Sequence, residues 1–273
     1  MRFQLGKLNI ILRTIGLRVI TTRGWSSFMR LALERDDLVE NKLKTQIDLG
    51  VVRAVIERQV GLTEVDLSQY LQNVDESNSA FRQDLIALMF NNFKTHGTFI
   101  EVGACDGVAT SNTLLLEQKY SWSGLLVEPA RIWHADLFRN RAAQIDTRCA
   151  WKSNGERLQF VEKLSPGRSG IVETSNDDTV ANDFYSVDTV TLDLLLSEST
   201  TLGNVDFLSV DTEGSELEVL QGFPFEKITP RFICVEHNFN DFKRAQVRSL
   251  LGDHGYHLFL ESLSHVDDWF YKY

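Results

Sequence analysis

A chain of 273 residues with 43% hydrophobic and 24% charged side chains has the make-up of a soluble globular protein, which excludes a disordered or membrane-embedded one and leaves ample material for a core. The net charge of −10 is unevenly placed: six basic residues and no acid occur through Arg30, so the remainder carries −16. An acidic body of this kind excludes nucleic acid as the main partner, because phosphate binding draws on basic surface.

Near the start, Leu8, Ile11, Leu12, Ile15 and Val19 share one face of a helix, with Lys7 and Arg18 beside it. Arginines interrupt the run too often for a bilayer span, and no small-residue cleavage site follows. Three readings stay open: a helix packed on the body or a partner subunit, a basic amphipathic helix on an anionic membrane, and a cleaved organelle transit peptide. Residues 28–61 continue in a charged helical pattern, with Gly50 expected to join two helices. Residues 1–80 therefore read as a helical N-terminal extension, and 81–273 as the main domain. A polar loop at 72–79 precedes a helix carrying Phe81, Leu85, Leu88 and Met89.

The next stretch, Thr98 to Gly107, reads TFIEVGACDG: a buried strand, a glycine turn and then a helix. That order builds the first unit of a nucleotide-binding α/β sheet, with the ligand over the carboxyl end of the strand. Charge selects the ligand. A dinucleotide pyrophosphate calls for G-x-G-x-x-G, whereas this turn, Gly103-Ala104-Cys105-Asp106-Gly107, sets Glu101 and Asp106 beside the ligand, where phosphates are repelled. Carboxylates there suit a ligand with an ammonium and a sulfonium, which S-adenosylmethionine presents. About twenty residues on, the strand Leu125 to Val127 ends in Glu128, the spacing of an acid gripping ribose hydroxyls.

Thr110 to Tyr120 is the expected helix after the turn, with Ser111, Asn112 and Thr113 in its first turn, either capping it or touching the cofactor. A helix over 132–141 leads to a third strand over 143–150, whose end puts Cys149, Ala150 and Trp151 near the adenine. Residues 165–183 read as a long loop region, a lid, a substrate contact or a surface insertion. A further buried strand ends at Asp211, followed by Glu213 at the start of a helix, and another ends in Glu236-His237-Asn238. Strands near 256–260 and 269–273 close the chain. Alternating strands and helices at this spacing imply a mostly parallel sheet covered on both faces.

With these residues together, the chain resembles the FkbM-type family of S-adenosylmethionine-dependent methyltransferases over about residues 80–273. The matching pieces are Gln83-Asp84, FIEVGACDG at 99–107, Ser111-Asn112-Thr113, Trp122, Gly124 to Pro129, VDFLSVDTEGSELEVLQG at 205–222, ICVEHN at 233–238 and DDWFY at 267–271. The resemblance implies a class I methyltransferase Rossmann-like sheet of seven strands, mostly parallel with an antiparallel last strand. It also implies O-methylation of a hydroxyl on a saccharide, glycolipid or secondary metabolite. Carried over, Glu101, Gly103, Ala104, Asp106, Gly107 and Asn112 look like the cofactor loop, Glu128 the ribose clamp, and Ala150 and Asp211 further cofactor contacts.

A hydroxyl is a poor nucleophile until its proton leaves, so a base is required. His237 is the first choice, with Glu236 or Asp211 orienting its ring and Glu213 close by. A second option makes Asp211, Glu236 and Asn238 oxygen ligands for Mg²⁺ or another hard cation that lowers the hydroxyl pKa. A third treats Glu213 as a helix cap and His237 as a hydrogen-bonded structural residue. Two other classes stay open, a dinucleotide-dependent oxidoreductase and a non-catalytic scaffold of the same fold. The odd number of cysteines, Cys105, Cys149 and Cys234, all in or after apolar runs, fits reduced thiols and a cytoplasmic protein, peripheral at the inner membrane surface if the basic helix binds lipid.

Overall fold

The computed structural model describes residues 22–57, 61–174, 181–199 and 202–273. Contacts divide the chain into two units, Met1–Leu43 and Lys44–Tyr273. The expected basic amphipathic helix over residues 8–19 lies outside the described residues. Helix α1, Thr22–Ile56, is continuous, so the expected join at Gly50 does not occur. Gly50 answers to packing instead: a Cβ there would sit 2.4 Å from Leu263 Cδ1. Among the described residues no helix is long and apolar enough to cross a membrane.

In the Lys44–Tyr273 unit the elements follow in order. Helices α2 (Glu64–Gln72) and α3 (Gln83–Phe90) precede strand β1 (Thr98–Val102), then α4 (Leu114–Tyr120), β2 (Ser123–Val127), α5 (Arg131–Asn140) and β3 (Gln144–Asp146). A run of strands comes next: β4 (Cys149–Ala150), β5 (Arg157–Lys163), β6 (Gly170–Ile171) and β7 (Ala181–Val190). The rest is α6 (Leu192–Glu198), β8 (Phe207–Val210), α7 (Glu216–Gln221), β9 (Phe232–Glu236), α8 (Asp241–Asp253), β10 (His257–Phe259) and β11 (Asp267–Tyr271).

Seven strands form the central sheet in the order β10-β11-β9-β8-β1-β2-β3, with β11 antiparallel to both neighbours and the other pairs parallel. This is the expected class I Rossmann-like sheet. Alternation along the strands sends side chains to two cores. Phe99, Phe207 and Phe232, aligned across three strands, join Leu85, Leu88 and Phe90 of α3 on one face. Ile100, Leu208 and Ile233 meet Leu195, Leu220 and Leu251 on the other. Both faces are apolar because helices cover both, as a mainly parallel sheet requires.

Two expectations change. The expected strand over 143–150 is broken, because Arg148 turns on Asp146, its N–H and guanidinium both donating to that carboxylate. Cys149–Ala150 then leaves the central sheet to pair with β7. Part of the expected loop region at 165–183 is structured, Gly170–Ile171 as β6 and its end as the start of β7: β5, which precedes it, and β7 form an antiparallel pair over Arg157–Lys163, extended by β6, in a second sheet ordered β4-β7-β5-β6. Its inner side chains, Phe160, Ile171, Tyr185 and Val187, make a third core with Ala130, Cys149 and Trp151.

Candidate active site at the carboxyl edge

Register aligns the site. Val102 pairs with Val127 and with Val210, and Val210 with Val235, so one row of buried valines crosses four strands. The next residue on each strand is Glu128, Gly103, Asp211 and Glu236, in that spatial order. Asp267 of β11 pairs with Glu236 and extends the row. Thus a glycine sits between one acid on β2 and a group of acids beyond it.

That glycine is obligatory. Gly103 has φ +88°, and a Cβ there would lie 1.7 Å from the Asp211 carbonyl oxygen. The close approach of the β1 and β8 ends leaves a cleft on one side of them, about 530 Å³ with the solvent at its mouth included. Glu128, Cys105 and Gly103 line it on the turn side; Asp211, Thr212 and Glu213 line another side; Ala150, Cys149, Phe160 and Ile171 give an apolar wall. Gly167, Ser169 and Gly170 of the 165–170 stretch also line it.

Glu128 is buried, its Oε2 accepting from Cys105 N at 2.8 Å and its Oε1 from Ala130 N at 2.7 Å. Burial pushes its pKa up to about 7, against the lowering by those two bonds. Each oxygen keeps lone-pair capacity toward the cleft, as a ribose clamp requires. Ala150 also falls in the wall as expected.

The remaining expected cofactor residues are placed one layer back. Glu101 is buried and accepts from Ser111 Oγ (2.9 Å), Asn112 N (2.8 Å) and Thr113 Oγ1 (2.5 Å), with the fully enclosed Arg141 guanidinium at 3.6 Å. It does not line the cleft; it holds the loop that does. Ser111 to Thr113 accordingly precede α4 rather than start it, and Thr113 at the N-cap position makes no side-chain cap bond. Asp106 is likewise turned on its own backbone, Oδ1 accepting from Val108 N and Ala109 N at 2.9 and 2.8 Å. Gly107, φ +75°, admits Leu137 and Arg141 where a Cβ would clash. Asn112 reaches across to Ser209 Oγ at 3.0 Å, and Ala104 is buried beneath the turn.

On the other side the acids face one another. Asp211 keeps surface open to the cleft, and its carboxyl lies beside that of Glu236. Two carboxyls this close favour holding a proton between them. Burial raises both pKa values, and the charge of Asp211 lifts Glu236 further, so the pair retains a proton where an isolated carboxyl would have lost it. No nitrogen or hydroxyl donor reaches Glu236 Oε2 among the described residues. Carboxylate oxygens of Asp211, Glu213 and Glu236 lie within 4.8 Å of one another.

Placement differs from expectation for three residues of this half. His237 is buried, with Nδ1 accepting from Phe239 N at 3.0 Å and Nε2, which no hydrogen-bond partner meets among the described residues, 4.0 Å from Asp268 Oδ1; it lines the neighbouring cleft with Glu236 and Asn238 rather than the first. Burial, then the Arg244 charge, lowers its pKa, so the ring is neutral. Glu213 does not cap α7. The N-cap is Ser215, which makes no side-chain cap bond, and Glu216 at the first helical position holds the turn before it, Oε1 accepting from Thr212 N and Oγ1, both at 3.1 Å, and from Gly214 N at 2.8 Å. Glu213 instead takes the Asn238 amide at Oε2, 3.1 Å, which turns the Asn238 nitrogen toward the acids and leaves Glu213 in its place among the clustered oxygens.

A second cleft of about 1060 Å³ adjoins the first through Glu213. Arg168, Glu236, Asn238, Phe239 and Asn240 are among its walls. The Phe239 ring is exposed, and Lys243 Nζ ties the Thr174 and Gly214 carbonyls together at the rim.

A family model described as the methyltransferase FkbM domain matches residues 101–258. No curated protein matches the chain. Among solved structures, a precorrin-6y C5,15-methyltransferase from Geobacter metallireducens GS-15 is similar at 12% identity and TM-score 0.37, covering 64% of this chain and 71% of that one. A candidate sarcosine dimethylglycine methyltransferase from Galdieria sulphuraria is similar at 12% identity and TM-score 0.33, with 68% of this chain and 64% of that one covered.

Proposed function

The chain belongs to the FkbM family of methyltransferases, and on that premise we propose that it methylates a hydroxyl oxygen of a polar, hydroxyl-rich acceptor such as a saccharide, glycolipid or secondary metabolite. S-adenosylmethionine is the cofactor the family implies. When bound it supplies an electrophilic methyl group on a sulfonium. The residues present fit it: Glu128 offers free lone pairs for ribose hydroxyls, Ala150, Cys149, Phe160 and Ile171 an apolar wall for a base, and Asp211 a carboxylate for a cationic end.

The observation that carries the reading is the edge row itself, with Glu128 and the Asp211–Glu236 pair on opposite sides of Gly103. The pair already holds one proton. Asp211, open to the cleft and raised by burial, takes a second proton from the acceptor hydroxyl as its oxygen attacks, and Glu236 stays protonated beside it. Gly167, Ser169 and Gly170 exclude water from that side. The acceptor enters by the second cleft, whose amides, charges and one exposed ring suit a hydroxyl-bearing molecule.

A second reading rests on the enclosed, donor-free Glu236 Oε2 within the cluster of Asp211, Glu213 and Glu236. A hard divalent cation bound there would satisfy that oxygen and lower the hydroxyl pKa directly. Magnesium titration by calorimetry, with turnover compared before and after chelation, separates the two readings. Turnover indifferent to chelation leaves the proton-sharing pair.

The primary test is turnover of S-adenosylmethionine with a panel of hydroxylated acceptors, the product analysed by NMR. A methyl group on oxygen supports the reading; a methyl group on nitrogen or carbon overturns it. Membrane contact through the basic first thirty residues is tested by vesicle co-sedimentation of the full chain against one starting at Leu31, and equal pelleting ends it.

A further inference from the structure

We propose that Asn78, which lies before the matched segment and lines neither cleft, is a positioning residue that clamps the cofactor turn from its solvent side; the inference rests on the cofactor reading above. The turn needs clamping. Cys105, Gly107 and Thr110 have φ of +48°, +75° and +56°, and two of the three carry a Cβ. Non-glycine residues hold that region only where surrounding contacts over-determine it.

The clamp has two jaws that close on one peptide group. On the inside, Asn112 N donates to Glu101 Oε1 at 2.8 Å, with Arg141 tying Ser111 Oγ and the Gly107 carbonyl, both at 3.1 Å. On the outside, Asn78 Nδ2 donates to the carbonyl of Ser111 at 3.3 Å and to that of Val108 at 2.6 Å. The peptide plane between Ser111 and Asn112 is therefore gripped at its oxygen by Asn78 and at its nitrogen by Glu101. Val108, Ala109 and Thr110 are exposed, so no core packing holds that stretch.

Asn78 is itself fixed from below. Asp84, wholly buried at the start of α3, accepts from Ser77 Oγ (2.6 Å), Asn78 N (2.8 Å), Ser79 N (3.3 Å) and Leu85 N (2.8 Å), and its own N–H donates to Ser79 Oγ at 3.0 Å. Next to it, Gln83 Nε2 donates to the buried Asp267 at 2.8 Å, at the far end of the carboxyl edge. The start of α3 thus reaches both halves of the site. Gly103 and Cys105 of the turn line the cleft, and Cys105 N holds Glu128, so a turn fixed before binding spares the cofactor the ordering cost.

The experiment compares wild type, Asn78→Ala, Asn78→Asp and Asn78→Gln. S-adenosylmethionine and S-adenosylhomocysteine are titrated calorimetrically, and thermal midpoints and amide exchange over residues 107–113 are recorded. Asn78→Ala and Asn78→Asp, which lose the donor, are expected to bind both ligands roughly three- to tenfold more weakly, the range of one neutral hydrogen bond. Asn78→Gln recovers part of the affinity, exchange in the turn quickens in the first two variants, and midpoints stay close to wild type. Wild-type affinity in Asn78→Ala overturns the proposal, as does a loss that merely tracks a fall in midpoint. Wild type that binds neither ligand overturns the cofactor reading itself, and the proposal with it.

Discussion

The carboxylates of the cofactor turn and those ending β8 and β9 stand on one edge of one sheet, in opposite environments. Glu101, Asp106 and Glu128 are each met by at least two N–H or O–H donors. Asp211 and Glu236 are met chiefly by other acids. A carboxylate with its lone pairs satisfied holds structure in place, whereas one left to share a proton stays ready to exchange it. On the proposed mechanism, the difference separates the half that shapes the cleft from the half that would exchange the proton.

Substitution should pull these halves apart. The largest effect expected is on turnover: Asp211→Asn lowers kcat by roughly 10²–10⁴, the usual worth of a positioned base, and also weakens S-adenosylmethionine binding, because the carboxylate facing its cationic end is lost. Glu236→Gln keeps the outline of the protonated member and should cost far less. Equal losses in the two variants would remove the division of roles within the pair.

Glu101→Ala acts on stability. It removes the buried acceptor of Asn112 N and of the Ser111 and Thr113 hydroxyls, while Arg141 keeps Glu117 at 2.7 Å, and denaturant unfolding should show a loss of about 1–3 kcal/mol for each donor left unpaired. A variant with wild-type stability and no cofactor binding would put Glu101 back in contact with the ligand.

Glu128→Ala stands between, removing a ribose partner and the acceptor for two backbone N–H groups. Calorimetry should register roughly 1.5–3 kcal/mol of S-adenosylmethionine affinity for each charge-assisted bond lost. Undiminished binding would place the ribose elsewhere.

The smallest effect is on pH dependence, and its sign is opposite to that of an ordinary salt-bridged acid. Asp211 has a folded pKa raised to about 8, so its contribution to stability is full below the unfolded carboxylate value near 4 and is lost as pH rises through about 8. Turnover should rise over the upper part of that window as the base ionises. Thermal midpoints measured from pH 5 to 8.5 should fall less steeply in Asp211→Asn than in wild type; parallel curves would count against the shared proton.

Much of this edge was legible before folding. The run Phe99 to Val102 and its glycines, the acid at Glu128 and the strand ending at Asp211 carry local signals: apolar length, turn residues and an acid at a fixed remove. The missed parts are those where distant chain meets. Nothing local marks Glu216 rather than Glu213 as the acceptor for the turn before α7, and the place of His237 follows from where Phe239 N and Asp268 happen to lie. The β5–β7 pairing was not legible because its strands are separated by a stretch of polar and small residues.

The sequence alone determined that an α/β sheet forms, which strand ends carry acids and where the first glycine turn falls, because apolar periodicity, glycine and charge act within a few residues of where they are written. Only the tertiary structure decided which of those acids are satisfied. Glu101 finds its donors ten to forty residues away and Asp211 meets Glu236 across a strand pair, and no local pattern encodes a hydrogen-bond partner brought in by register.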